Sequence, residues 1–338
     1  MTSSSNSSKT IAVTGASGFV GRYVVRELLS RGYSVRALVR EVSRAKGVWG
    51  SPTPAGVHVI AGDVCDAATL DQLVKGASAC IHLVGIIREV RGEDPTRPQT
   101  FERMHTHATQ AVADACKRAG VARFLHMSAL GVGPEGKSKY QQTKWEAECL
   151  VRRTGLDWSI FRPSLIHGPD GEFVQMMSDL VAGEVPPFVF LPYFARMRVD
   201  MSVPMGAMTF EPASIQPVAV EDVAAAFANA LERPQAIGEI YNLVGSEELN
   251  WQELTEFLRD TLPGGKKGLG TWYIPGTHAA MMAKCATKMG MGSLLPFDEG
   301  QALMATEDST ADTWKMTADL GITPRPFRAG VRSYAGRV

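Results

Sequence analysis

Tyr140 and Lys144 stand four residues apart in Tyr140-Gln141-Gln142-Thr143-Lys144, and Ser128 lies twelve residues before the tyrosine. Positions four apart share one face of a helix. A phenol titrates at about 10 unaided, and an ammonium beside it lowers that value by favouring the phenolate. Such a pair suits proton exchange with a carbonyl or an alcohol near neutral pH. The Ser128 hydroxyl can hydrogen-bond the same substrate oxygen. A tyrosine and a lysine at this spacing also occur on ordinary amphipathic helices, so the reading depends on their surroundings.

Those surroundings include Gly15-Ala16-Ser17-Gly18-Phe19-Val20-Gly21, between an apolar run at Ile11-Ala12-Val13 and a helical stretch reaching Ser30. Gly15 permits a tight turn, Gly18 a close approach of backbone to a diphosphate, and Gly21 close packing of helix on strand. The N–H groups of Gly15, Ser17, Gly18, Phe19, Val20 and Gly21 surround a helix N-terminus, where an anion is favoured. A closely packed turn that binds nothing is the alternative. The next strand ends Ala37-Leu38-Val39-Arg40. Sites for NAD place an acid there, on the ribose 2′-hydroxyl; here a cation takes its place. Arg40, with Arg22 or Arg44, can pair with a 2′-phosphate through the guanidinium fork, so the expected cofactor is NADP(H) rather than NAD(H). A solvated loop cation is the plainer account of Arg40. After the third strand, Gly62-Asp63-Val64 is placed for an adenine-edge contact, and Asp63 is equally placed to cap the following helix.

The elements that position these residues alternate. Strands are expected at Ser34–Val39, Val57–Ala61, Ala79–Val84, Arg123–Met127 and Trp158–Phe161. Helices are expected from Phe101 to Arg118, from Ser138 to Arg153 and from Val218 to Glu232. Apolar runs without alternation, separated by helices, imply βαβ units and a parallel sheet buried on both faces. Glu239–Val244 reads as a late strand of that sheet. Between Val185 and Pro217 the chain is rich in Pro, Met and aromatics and shows no clear period. The fold class is therefore α/β, a Rossmann-type doubly wound sheet. Residues 9–171 plus 216–244 form the dinucleotide-binding domain. Residues 172–215 plus 245–338 form a smaller substrate or partner lobe, and residues 1–8 a disordered Ser-rich tail.

Lys plus Arg equal Asp plus Glu at 35 each, without the basic excess of a nucleic-acid binder. Cys65, Cys80, Cys116, Cys149 and Cys285 form no metal-ligand spacing and read as reduced, mostly buried thiols of a cytoplasmic protein. No apolar stretch approaches the roughly 18 residues of a membrane span.

Taken together, Gly15 to Gly21, Gly62-Asp63-Val64, His82-Leu83-Val84-Gly85, Ser128, Tyr140 with Lys144, Arg162-Pro163 and Gln216 to Val223 resemble the short-chain dehydrogenase/reductase superfamily, in its extended or atypical branch. Phe124 to Gly131 and Ser138-Lys139-Tyr140 resemble bacterial relatives of the NADPH-binding accessory subunit of respiratory complex I. The resemblance implies NADP(H) in the crevice with Leu83, Val84 and Gly85 against it. It also implies Lys144 on the ribose, Pro163 and Ser164 beside the nicotinamide, and a C-terminal substrate lobe. In that accessory subunit the nucleotide is held rather than turned over. One departure stands out: the helix before the fifth strand usually carries an Asn supporting the lysine, and here it carries Met104-His105. His105 as a metal ligand has no partners at useful spacing.

Twelve of the fifteen methionines follow residue 172, among them Met176, Met177, Met197, Met201, Met205, Met208, Met281, Met282, Met289 and Met291. With Phe188, Phe190, Phe194, Trp272 and Tyr273 they can line a pocket for a quinone- or lipid-like molecule, since Met suits irregular apolar surfaces. They can equally form a face resting on a membrane or partner, or simply fill a core. Arg196 and Arg198 can meet lipid headgroups or stand as surface charges. The expected function is an NADP(H)-dependent oxidoreductase acting on a small apolar carbonyl substrate. The alternative is a non-turnover accessory or assembly factor of a respiratory or quinone-pathway complex, peripheral to the inner membrane. Epimerase or dehydratase chemistry on a nucleotide sugar ranks third, because the lobe is short of polar residues.

Overall fold

Apolar runs with little alternation become strands covered on both faces. The computed structural model, which describes residues 9–89, 98–200, 202, 206–290, 295 and 297–338, forms them as expected. They are β1 (Thr10–Thr14), β2 (Ser34–Val39), β3 (Val57–Ala61), β4 (Ala79–His82), β5 (Arg123–Met127) and β6 (Asp157–Pro163). Between them run α1 (Phe19–Ser30), α2 (Val42–Trp49), α3 (Ala67–Val74), α4 (Ala108–Ala119) and α5 (Lys139–Arg153). The chain continues through β7 (Ile166–His167), α6 (Glu172–Val181), β8 (Leu191–Asp200), β9 (Ala207–Pro212), β10 (Ser214–Ile215), β11 (Val218–Ala219) and α7 (Val220–Leu231). It ends with β12 (Glu239–Leu243), β13 (Leu249–Asn250), α8 (Trp251–Thr261), β14 (Thr271–Pro275), α9 (Gly276–Lys288), α10 (Glu299–Met304), α11 (Trp314–Leu320) and α12 (Phe327–Tyr334).

Seven strands make one sheet in the order β12-β6-β5-β4-β1-β2-β3, and every pairing is parallel. Strand order reverses between β1 and β4, where ligands bind outside the strand carboxyl ends. On one face α1 and α7 bury Val24, Leu28, Val223 and Phe227. On the other α3 and α4 bury Leu70, Leu73, Val112 and Cys116. Met316, Leu320 and Ile322 of the C-terminal segment join the first of these cores. A third core gathers α6, α8 and α12 around Val174, Leu254, Leu258 and Phe327.

Four expectations are corrected. The fourth strand stops at His82, two residues early, where its partner β1 ends at Thr14 and the chain turns away through Gly15. The helix expected from Phe101 opens as a π-helical turn over Glu102–His107 before α4 takes over. The expected helix from Val218 yields its first two residues to β11, which pairs with β7. The stretch without clear period contains β8 and β9, an antiparallel pair, with β14 parallel along the other edge of β8. The N-terminal residues 1–8 lie outside the described residues.

Candidate active site

The loop after β1 is shaped by what its glycines avoid. Gly15 has φ +69°, and a Cβ on it would stand 3.1 Å from the Leu83 carbonyl carbon and 3.2 Å from Val84 N. A Cβ on Gly21 would fall 2.1 Å from Gly15 O. Gly18 is different: its N–H donates to Gly15 O at 3.0 Å, and its Cβ position meets that oxygen alone, at 3.2 Å. It is the N-cap of α1, which takes no side-chain cap and has no acid in its first turn. The positive end of the helix dipole is left uncompensated. These are the features of an anion cradle, and they fit a dinucleotide diphosphate. Val20 is in the core under the loop. The Phe19 ring closes one flank, against Gly168 and Gly171.

At the end of β2, Arg40 is exposed and, among the described residues, in no ion pair. Arg22 is not available beside it: its guanidinium donates to Asp170 O at 3.1 Å. The side chain of Arg44 lies outside the described residues. Asp63 does not cap α3. That role falls to Asp66, whose carboxylate accepts from Thr69 N–H at 2.8 Å. Asp63 instead accepts from Cys65 N–H at 2.7 Å and pairs with Arg103 at 2.9 Å, while Val64 is buried in the core.

Capping explains why α5 begins where it does. Ser138 accepts from Gln141 N–H at 3.1 Å, and Gln141 Oε1 accepts from Ser138 N–H at 3.1 Å, a reciprocal capping box. Lys144, on the second turn, is 2% exposed and donates to Met127 O at 3.0 Å. A Cβ on Gly85 would stand 2.8 Å from Lys144 Nζ, so this glycine makes the room the lysine occupies. Burial pulls the Lys144 ammonium down to about 8, with Glu148 opposing. Tyr140 is half-buried between the rings of Phe101 and His105, edge-on to both. Burial pushes its phenol up to about 12. The expectation of a lowered tyrosine is therefore corrected for the ligand-free chain, where burial raises it. Ser128, next after Met127, is 3% exposed, and its hydroxyl has no hydrogen-bond partner among the described residues.

His105 is a site feature whose placement the sequence did not reveal. It sits on the π-helical turn, a distortion common at functional sites. Its Nδ1 is 2.9 Å from Thr143 Oγ1, and its Nε2 is 3.2 Å from Ile86 N and 3.1 Å from Ile86 O. Thr143 Oγ1 also lies 2.8 Å from Lys139 O. In either neutral tautomer the ring joins Thr143 to the Ile86 backbone: Nδ1–H donates to Thr143 while Nε2 accepts from Ile86 N–H, or Nε2–H donates to Ile86 O while Nδ1 accepts from Thr143. Burial, with Lys144 nearby, holds its pKa down to about 2. His105 thus pins the loop after β4 to the Tyr–Lys helix without bonding the lysine. Across the crevice, Pro163 ends β6, and the Ser164 hydroxyl is engaged with Ser309, 2.8 Å between the two Oγ atoms.

The Met-rich segment is largely surface. Met197, Met208, Met281, Met282 and Met289 are exposed, as are Phe188, Trp272 and Tyr273, whereas Met177 is buried. Met201, Met205 and Met291 lie outside the described residues. Core filling does not account for this group. Arg196 and Arg198 are paired with Asp308 and Glu211, at 2.8 Å and 2.7 Å. Of the cysteines, Cys80 and Cys116 are buried, Cys65 and Cys149 half-buried, and Cys285 exposed. Among the described residues no group of side chains is arranged to hold a metal ion, and no helix is long and apolar enough to cross a membrane.

A parallel sheet with its order reversed over a glycine-lined helix N-terminus defines a Rossmann-type dinucleotide-binding protein. Comparison with known proteins is specific to that class: the chain belongs to the NAD(P)H-binding family, whose model matches residues 15–184. It is 35% identical to a ceramide reductase of Caulobacter vibrioides over 159 residues, 47% of each chain. It is 31% identical to NADH dehydrogenase (ubiquinone) 1 alpha subcomplex subunit 9, mitochondrial, of Mus musculus over 248 residues, 72% of this chain and 58% of that one. The chain thus spans about half to three fifths of the length of these relatives. A dTDP-glucose 4,6-dehydratase from Streptomyces venezuelae, solved with NAD bound, shares the fold at TM-score 0.68 and 21% identity, over 97% of this chain and 96% of that one.

Proposed function

We propose that this chain is an NADP(H)-dependent oxidoreductase that reduces the carbonyl of an apolar, quinone- or lipid-like substrate. The observation that carries the reading is the Ser128 hydroxyl, buried without a partner among the described residues and one residue from the carbonyl that Lys144 holds. A buried polar group left unpaired costs about 1–3 kcal/mol, and a substrate oxygen would satisfy it. The dinucleotide, when bound, supplies hydride at its nicotinamide ring. The backbone of Gly15, Ser17, Gly18, Phe19, Val20 and Gly21 would hold the diphosphate, and Arg40 the 2′-phosphate. Asp63 and Val64 would border the adenine, and Leu83, Val84 and Gly85 the crevice floor. Pro163 and Ser164 would flank the nicotinamide, Ser164 through its backbone because its hydroxyl is engaged. Tyr140, protonated in the resting chain, is set to donate a proton to the substrate oxygen that Ser128 polarises. Lys144 would bind the ribose and replenish that proton. Within this reading, residues 9–171 plus 216–244 act as the cofactor domain, and the remaining described residues shape the substrate side. The ceramide reductase relative, acting on a lipid by its name, supports the substrate class.

A second reading is favoured by one observation: the Lys144 ammonium donates to Met127 O. Tyr140 and Lys144 would then serve as cofactor contacts in a non-turnover accessory protein, as similarity to the mouse NADH dehydrogenase subunit suggests. Single-turnover spectroscopy separates the two. NADPH bound to the chain should be oxidised by at least one quinone, ketone or aldehyde, and Tyr140→Phe should abolish this while leaving NADPH affinity unchanged. NADPH that stays reduced with all three classes sinks the reductase reading and leaves the accessory one.

A further inference from the structure

α9 wears its apolar side outward. Ala279, Ala280 and Ala283 are buried, the first two packed with Ala302, Phe194, Ile274 and Phe297. The opposite side exposes Met281, Met282, Cys285 and Met289. A surface helix normally turns charge to the solvent and its apolar stripe inward. The exposed stripe continues onto the sheet: Trp272, 65% exposed, lies two residues before Ile274 in β14, hence on the same sheet face as the side chain that packs under α9.

The sequence through this stripe is basic, with acidic neighbours at Glu299 beside Lys284 and Asp260 near Lys267. The chain as a whole is neutral, yet from Leu262 to Phe297 the sequence holds Lys266, Lys267, Lys284 and Lys288 and no Asp or Glu. All four lysines are exposed. Lys284 reaches Glu299 at 3.1 Å; the other three make no ion pair among the described residues.

We propose that α9 and Trp272 form a docking surface for an anionic lipid bilayer. The helix would lie in the plane of the interface, with Met281, Met282 and Met289 at the boundary of headgroups and acyl chains and the lysines on lipid phosphates. Interfacial helices combine these two features, an apolar face and flanking cations. Lysine stems lie along apolar surface while their ammonium groups reach the headgroups. An exposed tryptophan is at home at that depth. A second copy of this chain is a poor occupant, since a two-fold contact through this face would oppose one set of lysines to another, with Glu299 already taken by Lys284. The inference stands apart from the reductase reading, because α9 contributes none of the residues placed at the crevice.

Vesicle flotation of the full chain tests it. The protein should float with phosphatidylcholine vesicles containing about 30 mol % phosphatidylglycerol and not with phosphatidylcholine alone, and added salt should weaken the binding. Lys267→Gln with Lys288→Gln should lower affinity about fivefold per lysine. Met281→Asp with Met282→Asp should abolish it with an unchanged melting temperature. Should that variant fold poorly, quenching of Trp272 by brominated phosphatidylglycerol in the unmutated protein, taken as the difference from Trp272→Phe, decides the question without touching α9. The proposal is overturned if the chain ignores phosphatidylglycerol vesicles, if the methionine variant binds them as well as the parent, or if Trp272 is not quenched. It is equally overturned if the stripe proves to hold a dimer that Met281→Asp dissolves.

Discussion

Gly21 and Arg40 divide cofactor recognition between shape and charge. Gly21 admits no side chain, because a Cβ would fall 2.1 Å from Gly15 O. Gly21→Ala should force α1 away from the loop, destabilise the fold by about 1–3 kcal/mol, and abolish dinucleotide binding measured by fluorescence titration. Unchanged affinity would show that the cradle does not hold the diphosphate. Arg40 is the charge half. A charge-assisted hydrogen bond is worth about 1.5–3 kcal/mol, so Arg40→Ala should weaken NADP(H) by about ten- to hundredfold and leave NAD(H) as it was. Equal losses for both cofactors would refute the 2′-phosphate role. Much of this scale was legible beforehand, because glycine spacing and a missing acid are local signals. Arg22 shows where such reading stops. Its sequence position allowed a phosphate contact, but Asp170, 148 residues away, accepts from its guanidinium. His105 is the converse case. It is visible only as a departure, and its grip on Ile86 and Thr143 depends on a π-helical turn that no residue pattern announced.

At the scale of elements, what aims Tyr140 and Lys144 is the seating of α5 on the sheet. Glu148, one turn beyond Lys144 and fully buried, accepts from Arg162 of β6 through both oxygens, at 2.7 Å and 2.6 Å, and from Arg152 at 2.6 Å. Removing one member of a buried pair strands the other and costs about 3–5 kcal/mol. Glu148→Ala should cost about 3 kcal/mol by denaturant unfolding, the lower end of that range, since both arginines keep some solvent. Because Glu148 opposes the burial that lowers Lys144, the same variant should move the alkaline limb of cofactor binding to lower pH. A loss below about 1 kcal/mol would mean that other contacts seat α5. The strands of the central sheet were readable from short apolar segments set between helices, β2, β3 and β5 to their termini, although Arg36, His58 and His126 interrupt the runs and β3 is an edge strand with His58 exposed. The β8–β9 pair was not. Its residues Met197, Val199 and Met208 turn outward, so burial imposes no alternation that a sequence could display.

For the molecule as a whole, four of the seven histidines form an acid-sensitive core. His82, His105, His126 and His167 are buried, while His58, His107 and His278 are exposed. Burial holds His82 down to about 3, His105 to about 2 and His167 to about 4, and His126 well below its ordinary value. His126 stacks on His82 with ring centres 5.5 Å apart, and neither of its ring nitrogens has a partner among the described residues. All four shifts are depressions, so the folded chain stays neutral at these sites while the unfolded chain takes up protons below about 6.5. Stability is therefore fully present above that pH and is lost as pH falls toward the folded values. Near pH 5 the unfolded chain binds roughly four more protons, a slope of about 5 kcal/mol per pH unit. Against a total of about 5–15 kcal/mol, that slope should unfold the protein within roughly one to three units below pH 6.5. Thermal melting followed from pH 7.5 to 5 should show the fall. His126→Phe, which keeps the stack and removes the two unpaired nitrogens, should make it shallower by about 1.4 kcal/mol per unit. A melting temperature that stays level from pH 7 to 5 would mean that the histidine row beneath the lysine opens to solvent and protonates without loss of the fold.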